Sequence, residues 1–347
     1  MPFARKTTRR SLLAAATVSA ALVLTGCVAG EGSGGSPAAS GAAESGTLNI
    51  DFATYNPLSL VIKKKGWLEA TLKDQGVTVN WVQSAGSNKA NEALRSGAID
   101  VGSTAGSAAL LARANGSPIK AISIYSQPEW AALVAKPSSG IATVADLKGK
   151  SVAATKGTDP YFFLLQSLSE AGLSANDVTV QNLQHADGRA ALENGSVDAW
   201  SGLDPIMAAA EQKGATLFHR NLSFNTYGFL NATESFLKNK PKTAQAVVNT
   251  YEKARAWAAA NPDETAQILA EVAGLDLAVA KTVVLERSNL DVDPAPGEAQ
   301  RKVLAKIGPI FVETGDVSSQ QQIDTAVATI LDDSLVTKAD PSAVKDS

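Results

Sequence analysis

Ala93-Leu94-Arg95-Ser96-Gly97-Ala98-Ile99-Asp100 returns 98 residues later as Ala191-Leu192-Glu193-Asn194-Gly195-Ser196-Val197-Asp198. Each copy reads as a helix end, a glycine suited to the left-handed position after the last turn, and a short buried strand. Any helix-turn-strand unit carries these marks, so the echo is either generic or true pseudo-symmetry. Under both readings two similar α/β lobes follow.

Outward from the echo, strand-like and helix-like segments alternate. Strands are expected at residues 77–82, 99–101, 119–125, 130–135, 151–154, 178–183, 197–200 and 227–231. Helical patterns fall between them, as at 57–67, 88–96, 161–171, 188–193 and 206–213. Such alternation predicts an α/β fold with mainly parallel strands. After Ser235 the pattern is helical almost throughout. Asn261-Pro262-Asp263-Glu264 reads as a cap, a first-turn proline and a capping box. Val303, Ile307, Ile310 and Phe311 form one apolar helix face. The polar residues after Leu335 read as a frayed end.

The N-terminus has its own logic. Arg5, Lys6, Arg9 and Arg10 precede an uncharged run from Ser11 to Gly26 that is too short to span a bilayer, and this is the form of a signal peptide. Arg9-Arg10 fits both a twin-arginine signal and an ordinary basic leader. Leu24-Thr25-Gly26-Cys27 resembles the lipobox of bacterial lipoproteins, which implies removal of residues 1–26 and acylation of Cys27, the only cysteine in the chain. Lipid there would hold a soluble domain at the outer face of the cell membrane. Residues 27–46, nearly all Gly, Ala and Ser, read as a flexible tether. The full chain of 347 residues carries a net charge of −3, and losing the basic leader makes it more acidic. That balance argues against a nucleic-acid partner. With Cys27 committed to lipid, thiolate metal sites and redox chemistry have no material.

Several stretches, in order, resemble the aliphatic-sulfonate, taurine and nitrate group of periplasmic-type substrate-binding proteins. They are Asn91-Glu92-Ala93-Leu94 with Gly97 to Thr104, Val144-Ala145-Asp146-Leu147-Lys148-Gly149-Lys150-Ser151-Val152-Ala153, Lys156-Gly157-Thr158, Ala186-Asp187-Gly188-Arg189-Ala190-Ala191, and Val197-Asp198-Ala199-Trp200 with Asp204-Pro205. The resemblance implies a two-lobed periplasmic-binding-protein-like fold of type II with two hinge crossings and a helical C-terminal segment. Lobe one would take residues 47–127 plus 224–347 and lobe two 128–223, crossing near Ser126–Trp130 and Leu222–Tyr227. It further implies a monomeric receptor, without cofactor or metal, that closes on a small ligand and delivers it to the permease and ATPase subunits of an ABC importer. A thiamine-precursor pyrimidine or another heterocycle or amine is the alternative cargo, and a ligand-sensing lipoprotein without transport the alternative role.

Ligands of open α/β lobes bind beyond the carboxyl ends of strands. Those loops nominate Tyr55, Asn56, Gly86, Ser87, Asn88, Ser103, Thr104, Trp130, Thr158, Asp159, Asp187 and Asp204. A sulfonate stays ionised and only accepts hydrogen bonds, so hydroxyls and helix-start N–H groups would suffice without an arginine. The same residue types are ordinary helix caps, which leaves capping and recognition both open at each position. Asp159 and Asp204 repel an oxyanion if they face the cleft and then favour a cationic or amine-bearing end. Lys156 could pair an anion, and Tyr161 and Phe162 could extend an apolar wall.

Enzyme signatures fail. Gly149-Lys150-Ser151 would end a P-loop, but Val144 stands where that motif needs glycine. The two histidines, His185 and His219, have no metal-ligand spacing; His185 is near a helix start where ligand could touch it, and His219 is expected to pack near the surface. The lipoprotein reading predicts that Cys27→Ala moves the protein from the membrane to the soluble fraction; membrane attachment persisting after that change would refute it.

Overall fold

The computed structural model describes residues 44–347, so Cys27, the leader and most of the expected tether lie outside the described residues. The chain forms two five-stranded sheets. The first runs in the order β2-β1-β3-β10-β4, with β1 Gly46–Phe52, β2 Val77–Gln83, β3 Val101–Ala105, β4 Ile119–Ser126 and β10 Gly228–Thr233. The second runs β7-β6-β8-β5-β9, with β5 Ala131–Ala135, β6 Ser151–Ala153, β7 Thr179–Gln181, β8 Ala199–Leu203 and β9 Thr216–His219.

The two orders share one pattern: two parallel pairings, then two antiparallel ones. Four strands of each sheet therefore point the same way, as expected for mainly parallel strands, although only half of the pairings are parallel. β5 and β10, the first strand after each passage between sheets, enter against the direction of their neighbours. Edge strand β9 went unread because its Thr-Leu-Phe-His run is only half-buried and has no clean alternation.

The repeated octapeptide is pseudo-symmetric in three dimensions. α3 (Ser87–Ser96) ends on Gly97 at φ 72° and α6 (His185–Asn194) ends on Gly195 at φ 82°, both left-handed. Asp100 Oδ2 accepts from the N–H of Asn49 in β1, and Asp198 Oδ2 accepts from the N–H of Ser151 in β6, both at 2.8 Å. Each acid thus pins the start of its strand to the central parallel strand of its sheet, and β3 and β8 begin one residue further on.

Around the first sheet lie α1 (Pro57–Lys65), α2 (Trp67–Leu72), α3 and α4 (Gly106–Ala114); the second carries α5 (Asp159–Glu170), α6 and α7 (Ile206–Gln212). The C-terminal part is helical: α8 (Glu234–Asn239), α9 (Pro241–Ala260), α10 (Pro262–Ala273), α11 (Leu277–Lys281), a π-helical turn Thr282–Arg287, α12 (Glu298–Glu313) and α13 (Gln320–Thr329). No helix among the described residues is long and apolar enough to cross a membrane.

Three local expectations change. Asn261 does not cap α10; its amide donates back to the Trp257 carbonyl at 2.8 Å, and Glu264 pairs with Lys65. The C-terminus is not frayed, because Val336 and Val344 are buried and Ser347 Oγ donates to the Lys65 carbonyl. Glu44, inside the expected tether, accepts from the backbone N–H groups of Lys242 and Thr243 at the start of α9, so order begins before Thr47.

The chain passes between sheets at residues 127–130 and 220–227, and these passages are tied together. Arg220 grips Glu129 through two nitrogens, and Asn225 Oδ1 accepts from the Ala131 N–H. At the second passage Gly228 has no room for a side chain: a Cβ would overlap the Tyr125 ring and Ser126 Oγ. Gly228→Ala should destabilise the fold by about 1–3 kcal/mol, the usual cost of overpacking, as read by urea unfolding.

Candidate functional site

The seam between the two sheets is closed in this structure, and two buried carboxylates sit in it. Asp159 opens α5, but it is Thr158 that stands at the cap position. The Asp159 side chain instead turns into the seam. Ser107 Oγ of α4 donates to Oδ1 at 2.6 Å, Thr226 Oγ1 to Oδ1 at 2.5 Å, the Thr226 N–H to Oδ2 at 2.9 Å and Trp130 Nε1 to Oδ2 at 2.8 Å. A carboxylate offers about four lone-pair sites, so all are taken. Burial still pushes its pKa above the ordinary value, opposed by these hydrogen bonds.

Asp204 is held differently. Its Oδ1 accepts from the Ala208 N–H at 2.9 Å, a helix-start bond for α7. Arg287, at the end of the π-helical turn, reaches it from the other side at only 3.4 and 3.5 Å, while its other nitrogen pairs with Glu211 at 2.5 Å. Arg287 and Asp204 are both almost fully buried. Burial raises the Asp204 pKa to about 6, with the Arg287 charge pulling it down. The contacts at 3.4–3.5 Å leave Asp204 Oδ2 and the guanidinium with bonding capacity to spare.

Between these groups lies a cavity of about 10 Å³, lined by Tyr55, Ser126, Pro128, Trp130, Asp204, Val283, Arg287 and Ser288. That is room for about one water molecule. The Tyr55 and Trp130 rings meet edge-on at 6.0 Å and form its aromatic wall. Ser126 Oγ is buried there without a partner. Two larger hollows of about 550 Å³ open on the first sheet's lobe, one between the end of α4 and α13 and one beside α9, where Val284 and Asn289 flank the Arg287 turn, but neither is lined by Asp159, Asp204 or Arg287.

Of the residues nominated from sequence, the seam brings together Tyr55, Trp130, Asp159 and Asp204. Gly86 and Asn88 face the seam elsewhere: a Cβ on Gly86 would lie 3.0 Å from His185 Nε2 and 2.8 Å from Asn88 Oδ1, and Gly157 approaches Asn88. His185 Nδ1 lies 3.2 Å from Thr155 Oγ1, whose own proton goes to the Leu183 carbonyl; burial lowers the ring's pKa to about 4, so Nε2 is a bare acceptor.

The remaining nominees turn to internal bonds. Asn56 accepts from the Ser59 N–H and donates to Tyr251, and Ser87 Oγ accepts from the Ala105 N–H. Ser103 binds the buried Asp51, Thr104 receives the Asn231 amide, and Thr158 Oγ1 donates to the Thr155 carbonyl. Asp187 is exposed on α6. Lys156 and Tyr161 line an open groove against α12, Phe162 packs on Phe311, and His219 packs half-buried against Phe163. The sequence reading needed no arginine, yet Arg287 is the cation of the cavity. It missed Ser107, Ser126 and Thr226 as well, since none stands in a recognisable motif.

Residues 58–265 match the family described as NMT1/THI5 like. The chain belongs to that family. A protein of Escherichia coli strain K12 named as an aliphatic sulfonates-binding protein is 31% identical over 223 residues, 63% of this chain and 70% of its own length. The riboflavin-binding protein RibY of Chloroflexus aurantiacus is 25% identical over 252 residues, 69% of this chain and 68% of its own. The alkanesulfonate-binding protein SsuA of Xanthomonas axonopodis pv. citri, solved with MOPS bound, superposes with a TM-score of 0.74 at 27% identity, covering 81% of this chain and 97% of that one. The two-lobed α/β binding-protein fold follows from this likeness.

The Arg287 pair sets a pH-dependent prediction. Because the folded Asp204 value of about 6 exceeds the ordinary 3.8, this group favours folding at low pH and that contribution fades as pH rises through about 6. Arg287→Met leaves the ionised carboxylate without its cation, so it should cost about 3 kcal/mol at pH 7.5 and clearly less at pH 5, by urea unfolding at both values. Equal costs at the two pH values would show that the pair carries no charge-dependent stability.

Proposed function

We propose that this chain is the substrate-binding lipoprotein of an ABC importer and that it captures a small organic anion or zwitterion, such as an aliphatic sulfonate or taurine, between its lobes. Lobe one takes residues 47–127 and 224–347, lobe two 128–223, and they part about the passages near Ser126–Trp130 and Leu222–Tyr227. The observation that carries this reading is the loosely engaged Arg287 and Asp204 pair on an aromatic-walled cavity. When the lobes part, the guanidinium offers a planar donor fork to a sulfonate, and Asp204 offers an acceptor to a cationic end. Tyr55 and Trp130 then flank the ligand body.

The relatives named for sulfonates support the same class. The seam's groups hold rather than react: Asp159 is saturated, Asp204 is paired, and no nucleophile is bonded to His185 Nε2. The riboflavin-binding relative together with the Tyr55 and Trp130 rings favours a heterocycle as the second reading. Lipid on Cys27 would keep the monomer at the outer membrane face, beside the permease and ATPase.

A ligand that binds only the folded state stabilises it by mass action, by about 2.7 kcal/mol at a hundredfold excess over Kd, and so raises its melting temperature. Ethanesulfonate and taurine should therefore shift Tm upward, and Arg287→Gln should abolish both shifts. Shifts with a pyrimidine or riboflavin and none with either sulfonate would replace this cargo with a heterocycle.

A further inference from the structure

The Asp159 carboxylate occupies a receptor that is not its own helix. Its four donors come from three separated places: Ser107 at the start of α4, Trp130 at the end of the first passage, and Thr226 at the end of the second. Thr226 Oγ1 is itself oriented, since it accepts from the Ser107 N–H at 2.8 Å while donating to Asp159. Trp130 belongs to both features: its Nε1 serves the carboxylate, and its ring walls the cavity. Among the described residues, no cation is hydrogen-bonded to Asp159. Four aimed neutral donors without a cation suit a singly charged oxyanion.

We propose that Ser107, Trp130 and Thr226 form the oxyanion subsite of the cleft, and that Asp159 is a self-ligand which the anionic head of an incoming monoanion displaces. This rests on the cargo class proposed above and adds further donors to its anionic head: the cradle takes one sulfonate oxygen and Arg287 another, with the body along the Trp130 ring and Asp204 left to select the far end. An intramolecular competitor lowers apparent affinity by the fraction of molecules in which it occupies the site. Removing it should therefore raise affinity, whereas removing a mere structural tie should lower it.

The test uses the full mature lipoprotein in detergent with two probes, acetate and methanesulfonate, and calorimetric titration. Asp159→Ala should bind both at least tenfold more tightly than the wild type, and acetate should restore part of the lost Tm. Adding Thr226→Val to Asp159→Ala should remove that gain. Asp159→Asn, which keeps the side-chain shape but turns an amide N–H toward donors, gives the same reading if the alanine variant does not fold. Methanesulfonate binding that is unchanged or weaker in a folded Asp159 variant overturns the proposal, even if acetate binds. Acetate mimics Asp159 and is not the cargo, so its capture reads the cradle separately from the wild-type sulfonate shifts that judge the cargo class.

Discussion

A carboxylate cannot remain buried and charged unless donors replace the water it gave up, and in this molecule the donors to Asp159 come from the other lobe and from both passages between lobes. That requirement fixes several things together. Ser107 must stand at the first turn of α4, Thr226 must leave the second passage with its N–H and hydroxyl on one side, and Trp130 must point its indole N–H back along the first. Gly106 answers the same constraint. Its N–H donates to the Thr226 and Tyr227 carbonyls, and a Cβ there would collide with the Thr226 carbonyl. The seam is therefore organised around one anion, and its backbone is shaped to deliver neutral donors to it.

The second buried acid shows the contrast. Asp204 is compensated by an ion pair rather than by a full set of hydrogen bonds, and that pair is long on the Asp204 side and short on the Glu211 side. A guanidinium shared between two acids is held in place without being saturated by either. Arg287 ends a π-helical turn, a local departure from α geometry that recurs at functional sites because it redirects a side chain. Here it aims the guanidinium across the seam. The C-terminal segment that follows runs along the first passage, where Glu129 N–H donates to the Arg287 carbonyl and Gln127 N–H to that of Asn289. Any hinge motion at the first passage, as proposed, would therefore carry the Arg287 backbone with it.

What the sequence disclosed and what it withheld divide along contact range. The octapeptide echo, the alternation of elements and the glycine caps are local, with their determinants within a turn or a strand, and they yielded two lobes and most element positions. Whether Asp159 and Asp204 cap or recognise could not be read from their loops. Asp159 meets its partners 52 and 67 residues away, and Asp204 meets Arg287 83 residues away in a helical region with no motif. Ser103, Thr104 and Thr158 carry the right chemistry at the right strand ends, yet each is spent inside its own lobe, a choice set by neighbours such as Asp51 and Asn231 that the loop sequence does not contain.

The closed seam has a thermodynamic consequence. With about 10 Å³ left beside Arg287 and Asp204, no organic ligand enters there without breaking contacts, so each bond that holds that part of the empty cleft shut is subtracted from ligand affinity. On the proposed reading, exchangeable contacts keep that subtraction modest. The cradle bonds to Asp159 can be remade to another oxyanion, and the long Arg287 contacts to Asp204 can be remade to the two ends of a zwitterion. A cleft sealed by apolar packing alone would offer an incoming ion no such exchange, because opening it would expose hydrocarbon and closing it again would strand the ligand's charge. On the proposed reading, polar self-complementation lets one surface be stable when empty and chemically matched when filled, with a cargo that resembles the groups standing in for it.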